Sequence, residues 1–127
     1  MVNVFVVDDA PQVRKRLVAL LHTVAGVRVV GEADSVGSAI DGVLAADVDT
    51  LLLDLKLPDG TGLDVLAVLK PQRPGIHVIV LSNFASPQHR RASLGAGADV
   101  FLDKSHEFGR VPQILREWIA SPASRAH

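Results

Sequence analysis

The chain has 127 residues, the usual length of a single domain, which leaves little room for a second. With 13 Lys plus Arg against 14 Asp plus Glu, its net charge of -1 argues against a protein that coats nucleic acid. It has no cysteine, no basic leader at Met1 and no apolar run near the ~20 residues that span a bilayer, so we expect a soluble, cytoplasmic protein.

Five short runs rich in Val, Ile and Leu alternate with five helical patterns. The strands are predicted at Val2–Val7, Val27–Ala33, Thr50–Asp54, 77–81 and 100–102, and the helices at 11–24, 35–46, 62–69, Pro87–Gly95 and 105–119. Three of the runs are apolar at consecutive positions, which is typical of strands covered on both faces. Strict alternation of such strands with helices predicts a doubly wound, flavodoxin-like α/β fold with a five-stranded parallel sheet in the order 2-1-3-4-5.

Local signals mark several helix ends. Ser35 and Ser86 are candidate N-caps, and Pro11 suits a first helical turn because its missing N–H would be unpaired there. Pro112 lies inside the last helical pattern, so that helix is expected to begin late or to bend. We expect residues 1–120 to form the domain and 121–127, which read SPASRAH, to form a flexible tail.

Polar residues follow four of the five predicted strands. Strand one leads into Asp8 and Asp9, strand three ends in Asp54, and strands four and five are followed by Ser82 and Lys104. In an open parallel sheet of this order, ligands bind beyond the carboxyl ends of the strands, where the strand order reverses. Each residue taken alone is more simply a turn, a cap or a surface charge. Their joint placement predicts one functional crevice.

Three crowded carboxylates repel one another, and a hard divalent cation would relieve that repulsion. Mg²⁺ prefers oxygen ligands and takes one or two carboxylates together with phosphate oxygens and water. An aspartate beside such an ion and the ammonium of Lys104 is suited to attack phosphorus, which would give an aspartyl phosphate. Ser82 could donate a hydrogen bond to the new phosphoryl group.

Four segments, in their order along the chain, carry a specific signature. They read VFVVDDAPQVRKRL, TLLLDLKLPDGTGLDVL, VIVLSN and GADVFLDKS. Over about residues 2–120 the chain resembles the receiver domains of response regulators, the chemotaxis-regulator-like family of two-component phosphorelay systems. The resemblance implies a regulatory phosphoacceptor rather than an enzyme: it would support only its own phosphorylation and autodephosphorylation.

The resemblance also implies roles for individual residues. Asp54 would be the phosphoacceptor, and Lys104 would bind a phosphoryl oxygen. Mg²⁺ or Mn²⁺ would be bound directly by Asp9, Asp54 and the backbone carbonyl of Lys56, with Asp8 helping through water.

A second group of residues would carry or tune the switch. Ser82 would be the switch hydroxyl and Phe101 the switch aromatic, although Phe101 is equally an ordinary core residue by its spacing. Asn83 departs from the Ala or Gly usual in the family and could either crowd the phosphoryl group or donate to it. We expect Lys56 and Phe84 to shield the phosphoryl group and to lengthen its lifetime.

The expected partners follow from the same resemblance. A sensor histidine kinase or a histidine phosphotransfer protein would supply the phosphoryl group, and the basic face of the first helix (Arg14, Lys15 and Arg16) would either meet it or remain solvated. An output partner, an output domain or a phosphorylation-dependent second copy would use the face of the fourth helix, fifth strand and fifth helix. Trp118 is expected to pack against its own domain. Direct contact with nucleic acid or membrane is not expected, and the sequence leaves open a stand-alone receiver or the receiver part of a transcriptional regulator.

Three other classes fit the sequence less well. A haloacid-dehalogenase-type phosphatase places its nucleophile in a DxD motif after strand one, whereas Asp8 and Asp9 are adjacent here. A nucleotide-binding or flavin-binding module would need a Gly-rich or Ser/Thr-rich loop in that place, and DDAPQVRKR begins with two acidic residues and lacks glycine. A degenerate receiver that signals without phosphate is opposed by the presence of Asp54, Asp9 and Lys104 and favoured only by Asn83.

Overall fold

The computed structural model describes residues 1–120, in which a five-stranded parallel sheet lies between two layers of helices. The strands are β1 (Val2–Val7), β2 (Val27–Ala33), β3 (Thr50–Asp54), β4 (His77–Ser82) and β5 (Val100–Asp103). The main helices are α1 (Pro11–Leu21), α2 (Val36–Leu44), α3 (Gly62–Gln72), α4 (Pro87–Gly95) and α5 (Val111–Ala120). The sheet order β2-β1-β3-β4-β5 confirms the predicted fold. The predicted tail at 121–127 lies outside the described residues.

Both faces of the central strands are covered, as their unbroken apolar runs predict. Every residue of β1 and of β3 is buried. On one face, Phe5, Leu51 and Leu53 pack in a cluster with side chains of α2 and α3. On the other face, Val4 and Leu52 pack with side chains of α1 and α5. Each such buried side chain contributes about 2 kcal/mol of transfer free energy, so the sheet is held in the middle by two apolar layers.

The helix starts follow the capping signals better than the helix ends do. The hydroxyl groups of Ser35 and Ser86 accept hydrogen bonds from the backbone N–H groups of Ser38 and His89, which confirms both predicted N-caps. α1 ends at Leu21, three residues earlier than predicted, and α3 continues to Gln72, three residues beyond the predicted end. The apolar pattern sets the buried face of a helix but does not fix its last turn.

The last helix begins late, as Pro112 predicts. A helical turn (Lys104–Glu107) and a 3₁₀ turn (Phe108–Arg110) lead into α5, and Pro112 occupies its first turn, where no backbone N–H is needed. Near the end of α5, Trp118 packs against the ring of His77, with 5.0 Å between ring centroids. The expectation that Trp118 packs on its own domain is therefore confirmed.

A small hairpin connects β3 to α3. Its antiparallel strands are Lys56–Leu57 and Gly60–Thr61. The carboxylate of Asp59, at its tip, accepts hydrogen bonds from the backbone N–H groups of Val36 (2.7 Å) and Gly37 (3.1 Å). The hairpin is thereby tied to the first turn of α2. No helix among residues 1–120 has the length and apolar character needed to cross a membrane.

Candidate functional site

The carboxyl ends of β1, β3 and β5 surround a polar cleft. Asp8 follows β1, Asp54 is the last residue of β3 and Lys104 follows β5. Because β1 and β3 are neighbours in the sheet, their ends lie side by side where the strand order reverses. The cleft has a volume of about 260 Å³ and is lined by Asp8, Asp9, Ala10, Val13, Asp54, Lys56, Asn83, Phe84 and Lys104.

Three carboxylates converge in this cleft, as the sequence predicts. One oxygen of each of Asp8, Asp9 and Asp54 lies within 4.8 Å of the others. Asp8 and Asp54 are buried, whereas Asp9 is exposed. Short backbone contacts orient the two buried groups: Asp8 accepts from Ala10 N–H at 2.9 Å, and Asp54 accepts from Lys56 N–H at 3.3 Å.

Lys104 joins two of these carboxylates. Its Nζ lies 2.7 Å from an oxygen of Asp8 and 3.2 Å from an oxygen of Asp54, and its side chain is only 10% exposed. Burial raises the pKa of Asp54, and the neighbouring charge of Asp8 raises it further, while Lys104 partly offsets both. Burial alone would lower the pKa of Lys104, but its hydrogen bond to Asp8 and the charges of both carboxylates raise it. Burial and the charge of Asp8 therefore outweigh Lys104 in setting the pKa of Asp54, whereas the two carboxylates outweigh burial in setting the pKa of Lys104.

The donor set fits a hard divalent cation. The three carboxylates offer only oxygen atoms, and Lys104 pairs with two of them, Asp8 and Asp54, but not with Asp9. Mg²⁺ prefers such oxygen ligands, and the open side of the cleft at Asp9 leaves room for the waters that it retains.

The backbone packs closely under the phosphoacceptor candidate. A Cβ atom at Gly62 would lie only 2.6 Å from the main-chain oxygen of Asp54, so any larger residue would displace this part of β3 or the start of α3. Gly62 N–H also donates to the carbonyl of Leu55 at 2.8 Å. The glycine therefore lets the loop after Asp54 close tightly beneath the cleft.

Two predicted switch residues lie behind the cleft rather than on its walls. Ser82 is fully buried, and its Oγ accepts a hydrogen bond from the backbone N–H of Phe84 at 2.9 Å. Phe101 is 3% exposed and belongs to the apolar cluster on the α3 side of the sheet. Their register positions are close, since Ser82 pairs with Asp103, two residues beyond Phe101 on β5.

The rim of the cleft holds the three residues expected to tune the site. Phe84 is 47% exposed, and the Nζ of Lys56 lies 5.6 Å from the centroid of its ring. Asn83 is exposed, and its Oδ1 accepts from the hydroxyl of Ser105 at 3.5 Å. Lys56 and Phe84 thus form one side of the entrance, and Asn83 faces the loop after β5.

The sequence did not indicate two arginine contacts beside the site. Arg14 donates to the backbone carbonyl of Asp8 at 2.6 Å. Arg90 donates to the carbonyl of Phe101 at 3.2 Å, and its guanidinium lies 5.1 Å from the Phe101 ring centroid. Neither contact has a signal in the sequence, because a basic residue on a polar helix face is equally typical of a solvated surface.

Known proteins share this architecture and sequence pattern. The family model for the response regulator receiver domain matches residues 4–116. The chain is 38% identical over 104 residues to the DNA-binding transcriptional activator DevR/DosR of Mycobacterium tuberculosis, covering 82% of this chain and 48% of that protein. It is 35% identical over 121 residues to the nitrate/nitrite response regulator protein NarP of Escherichia coli, covering 95% of this chain and 54% of that protein.

Comparison with solved structures indicates the same family. The signal receiver domain of the putative response regulator NarL from Mycobacterium tuberculosis superposes with a TM-score of 0.83 at 30% identity, covering 94% of this chain and 97% of that one. The chain therefore belongs to the response regulator receiver-domain family, whose members are regulatory phosphoacceptors and phosphorylation-dependent switches of two-component systems. The chain spans about half the length of the curated relatives it matches.

Proposed function

We propose that Asp54 is the phosphoacceptor of this receiver domain and that residues 1–120 form the switching unit. The observation that carries the proposal is the ion-paired group at the ends of β1, β3 and β5, in which Lys104 contacts both Asp8 and Asp54. Asp54 ends the central strand β3 and lines the cleft together with Asp8 and Asp9. A histidine kinase or a histidine phosphotransfer protein would be the donor.

The residues that would hold Mg²⁺ or Mn²⁺ are the carboxylates of Asp9 and Asp54 and the backbone carbonyl of Lys56, with Asp8 acting through water. The ion would supply positive charge and alignment for the oxygens of the transferred phosphoryl group. This set is supported by the convergence of the three carboxylates within 4.8 Å.

In the proposed reaction, a carboxylate oxygen of Asp54 attacks the phosphorus of a phosphohistidine. The O–P bond forms, the P–N bond breaks and the electron pair stays with the imidazole. Lys104 already contacts Asp54 at 3.2 Å and would keep one hydrogen bond to a phosphoryl oxygen. Phosphoryl transfer mainly needs positioning and charge neutralisation, which these groups offer. We propose no turnover of other substrates, only phosphorylation of this domain and its autodephosphorylation.

Phosphorylation would then be transmitted through Ser82 and Phe101. The added charge and acceptor oxygens would draw the Ser82 hydroxyl away from the Phe84 N–H that it now accepts from. Phe101 would adjust to the vacated space and change the face formed by α4, β5 and α5. This face would contact an output partner, an output domain or a second copy of the chain.

We further propose that this receiver acts in the cytoplasm as the regulatory part of a transcriptional regulator. Two observations favour that setting: a relative is named a DNA-binding transcriptional activator, and this chain spans about half of such relatives. Contact with DNA would then belong to another part of the protein, because the net charge of -1 gives this chain no strongly basic character.

The proposed phosphoacceptor is tested by intact mass measurement after incubation with Mg²⁺ and acetyl phosphate. Wild type should gain the mass of one phosphoryl group, and Asp54→Ala should gain none. Asp34→Ala, which removes an exposed carboxylate outside the cleft lining, should behave as wild type. An adduct of equal yield in Asp54→Ala would refute the assignment.

The exposed side chains at the rim are expected to lengthen the life of the acyl phosphate. Phe84 and Lys56 stand at the entrance through which water would approach Asp54. A Phe84→Ala, Lys56→Ala double variant should therefore lose the phosphoryl group faster than wild type, as followed by mass after removal of the donor. An unchanged half-life would show that these side chains do not control access of water.

A further inference from the structure

The side chain of Arg14 reaches back from α1 to the acidic loop that follows β1. One of its terminal nitrogens donates to the backbone carbonyl of Asp8 at 2.6 Å, and its Nε lies 3.4 Å from a carboxylate oxygen of Glu32 on β2. The side chain is only 19% exposed. Arg14 therefore bridges three elements, α1, β2 and the loop at the end of β1, immediately beside the cleft.

The contacted carbonyl belongs to the peptide group that joins Asp8 to Asp9. Because a peptide group is planar, fixing its oxygen also fixes the nitrogen of Asp9 and restricts the directions that the Asp9 side chain can take. Asp8 has further restraints, since its N–H donates to the Ala33 carbonyl and its carboxylate contacts Lys104. Asp9 is exposed, and the described structure records no hydrogen bond or ion pair of its carboxylate. The orientation of Asp9 thus depends on its backbone.

The ion pair with Glu32, 3.4 Å from Nε, restrains the guanidinium while another of its nitrogens contacts the Asp8 carbonyl. An arginine presents several N–H groups in a rigid plane and can contact the carbonyl and the carboxylate at once. A lysine has a single ammonium on a flexible stem and would not reproduce both contacts in that geometry. The arrangement therefore requires the shape of arginine and not its charge alone.

We propose that Arg14 is a positioning residue for the divalent-cation site: by holding the Asp8–Asp9 peptide, it keeps the Asp9 carboxylate within the group of three. The inference rests on the proposed function, which assigns the cation to that group. This role predicts a change in cation affinity opposite in sign to the one that charge alone predicts. A positive charge beside the site repels a cation, so removing Arg14 would tighten cation binding if charge alone mattered. Loss of positioning weakens binding instead.

The test is calorimetric titration of the purified chain with MgCl₂. Arg14→Gln should weaken Mg²⁺ binding by about tenfold, the usual lower range for loss of a group that orients metal ligands. Arg14→Lys, which keeps the charge, should weaken it by a similar factor. Lys15→Gln removes the same charge from the neighbouring exposed position and should leave binding unchanged or slightly tighter. Glu32→Gln should weaken binding less, and adding it to Arg14→Gln should have no further effect, since both act through one contact.

Thermal melting in EDTA shows whether each variant is folded without the cation, so that weaker binding is not mistaken for unfolding. If Arg14→Gln does not fold, Arg14→Lys is the variant to use. Binding by Arg14→Gln or Arg14→Lys that equals or exceeds wild type would overturn the inference and leave the proposed function intact. Absence of Mg²⁺ binding in wild type would overturn both. At saturating Mg²⁺ the Arg14→Gln protein should still form the acyl phosphate, because Asp54 and Lys104 remain in place.

Discussion

Asp54 occupies surroundings that disfavour its charge, although the proposed chemistry requires the charged form. Its carboxylate is buried and faces Asp8, and these two effects raise its pKa despite the ion pair with Lys104. A carboxylate deprived of hydrating water is a better base and a better nucleophile than one on the surface. The same arrangement should lower the stability of the protein in the absence of a cation.

Because the buried charge of Asp54 lowers stability, Asp54→Asn should change the stability of the protein in EDTA in a pH-dependent way. A carboxyl group whose folded pKa is raised contributes stability below its unfolded pKa and loses that contribution as the pH rises through the folded pKa. The neutral amide avoids this loss. Asp54→Asn should therefore unfold at higher urea concentration than wild type at pH 7, and the difference should shrink as the pH falls below about 4. A variant less stable than wild type at pH 7 would contradict this account of the site.

At the scale of elements, Asp59 connects the hairpin after β3 to the first turn of α2. Its two oxygens accept from the N–H groups of Val36 and Gly37, which have no carbonyl partner within the helix because they lie in its first turn. These hydrogen bonds lower the pKa of Asp59 below its usual value. Since the hairpin begins at Lys56, whose carbonyl is a proposed cation ligand, the contact also restrains one wall of the site.

Asp59→Asn should show the opposite pH dependence to Asp54→Asn. A carboxylate with a lowered folded pKa contributes stability above its unfolded pKa and loses it as the pH falls through the folded pKa. The variant should therefore be less stable than wild type at neutral pH, as measured by urea unfolding. The two proteins should converge as the pH falls below about 4. A deficit of the same size at every pH would mean that the charge of Asp59 plays no part.

Helix α4 buries none of its apolar side chains completely. Ser93 is the only one of its residues that is buried, and Leu94 is 44% exposed. The contact of Arg90 with the carbonyl and ring of Phe101 links the helix to β5. Few buried contacts give a segment a low free energy of local opening, which would suit the proposed change of the face formed by α4, β5 and α5.

Amide hydrogen exchange should therefore be faster in α4 than in α1, which buries Leu17 and Leu21. Arg90 is exposed, so its hydrogen bond contributes no more than an ordinary one, about 1 kcal/mol, and Arg90→Gln should speed exchange in α4 about fivefold. Arg91→Gln, a matched change at the next exposed position, should leave the rate unchanged. Equal exchange in all three proteins would show that Arg90 does not anchor the helix.

At the scale of the whole molecule, the sequence predicts the order of helices and strands well, because buried strands need a recognisable apolar pattern. A strand covered on both faces must be apolar at every position, and β1 and β3 are such strands. The end of α1 was predicted three residues too late, and the end of α3 three residues too early. Both errors arise because the last turn of a helix depends on its surroundings. The turns before α5 were foreseen only as a late start at Pro112.

The polar residues of the cleft were also predictable, because the end of a strand fixes where the next side chain lies. The cleft at the carboxyl ends of the strands brings together Asp8, Asp9, Asp54 and Lys104, as their positions at the strand ends predict. The supporting contacts of Arg14 and Arg90 were not predictable. Both contacts run from a helix side chain to a backbone carbonyl. Every residue has a backbone carbonyl, so the amino-acid sequence does not show which one a side chain contacts.

The most direct test of the central claim is chemical mapping of the phosphorylated residue. Wild-type protein incubated with acetyl phosphate and Mg²⁺ is treated with borohydride, which reduces an acyl phosphate to an alcohol, and its peptides are then sequenced by mass spectrometry. We expect reduction at position 54 and at no other carboxylate. Reduction at Asp8 or Asp9 instead, or a phosphoryl adduct that borohydride does not convert, would contradict the assignment of Asp54 as the phosphoacceptor.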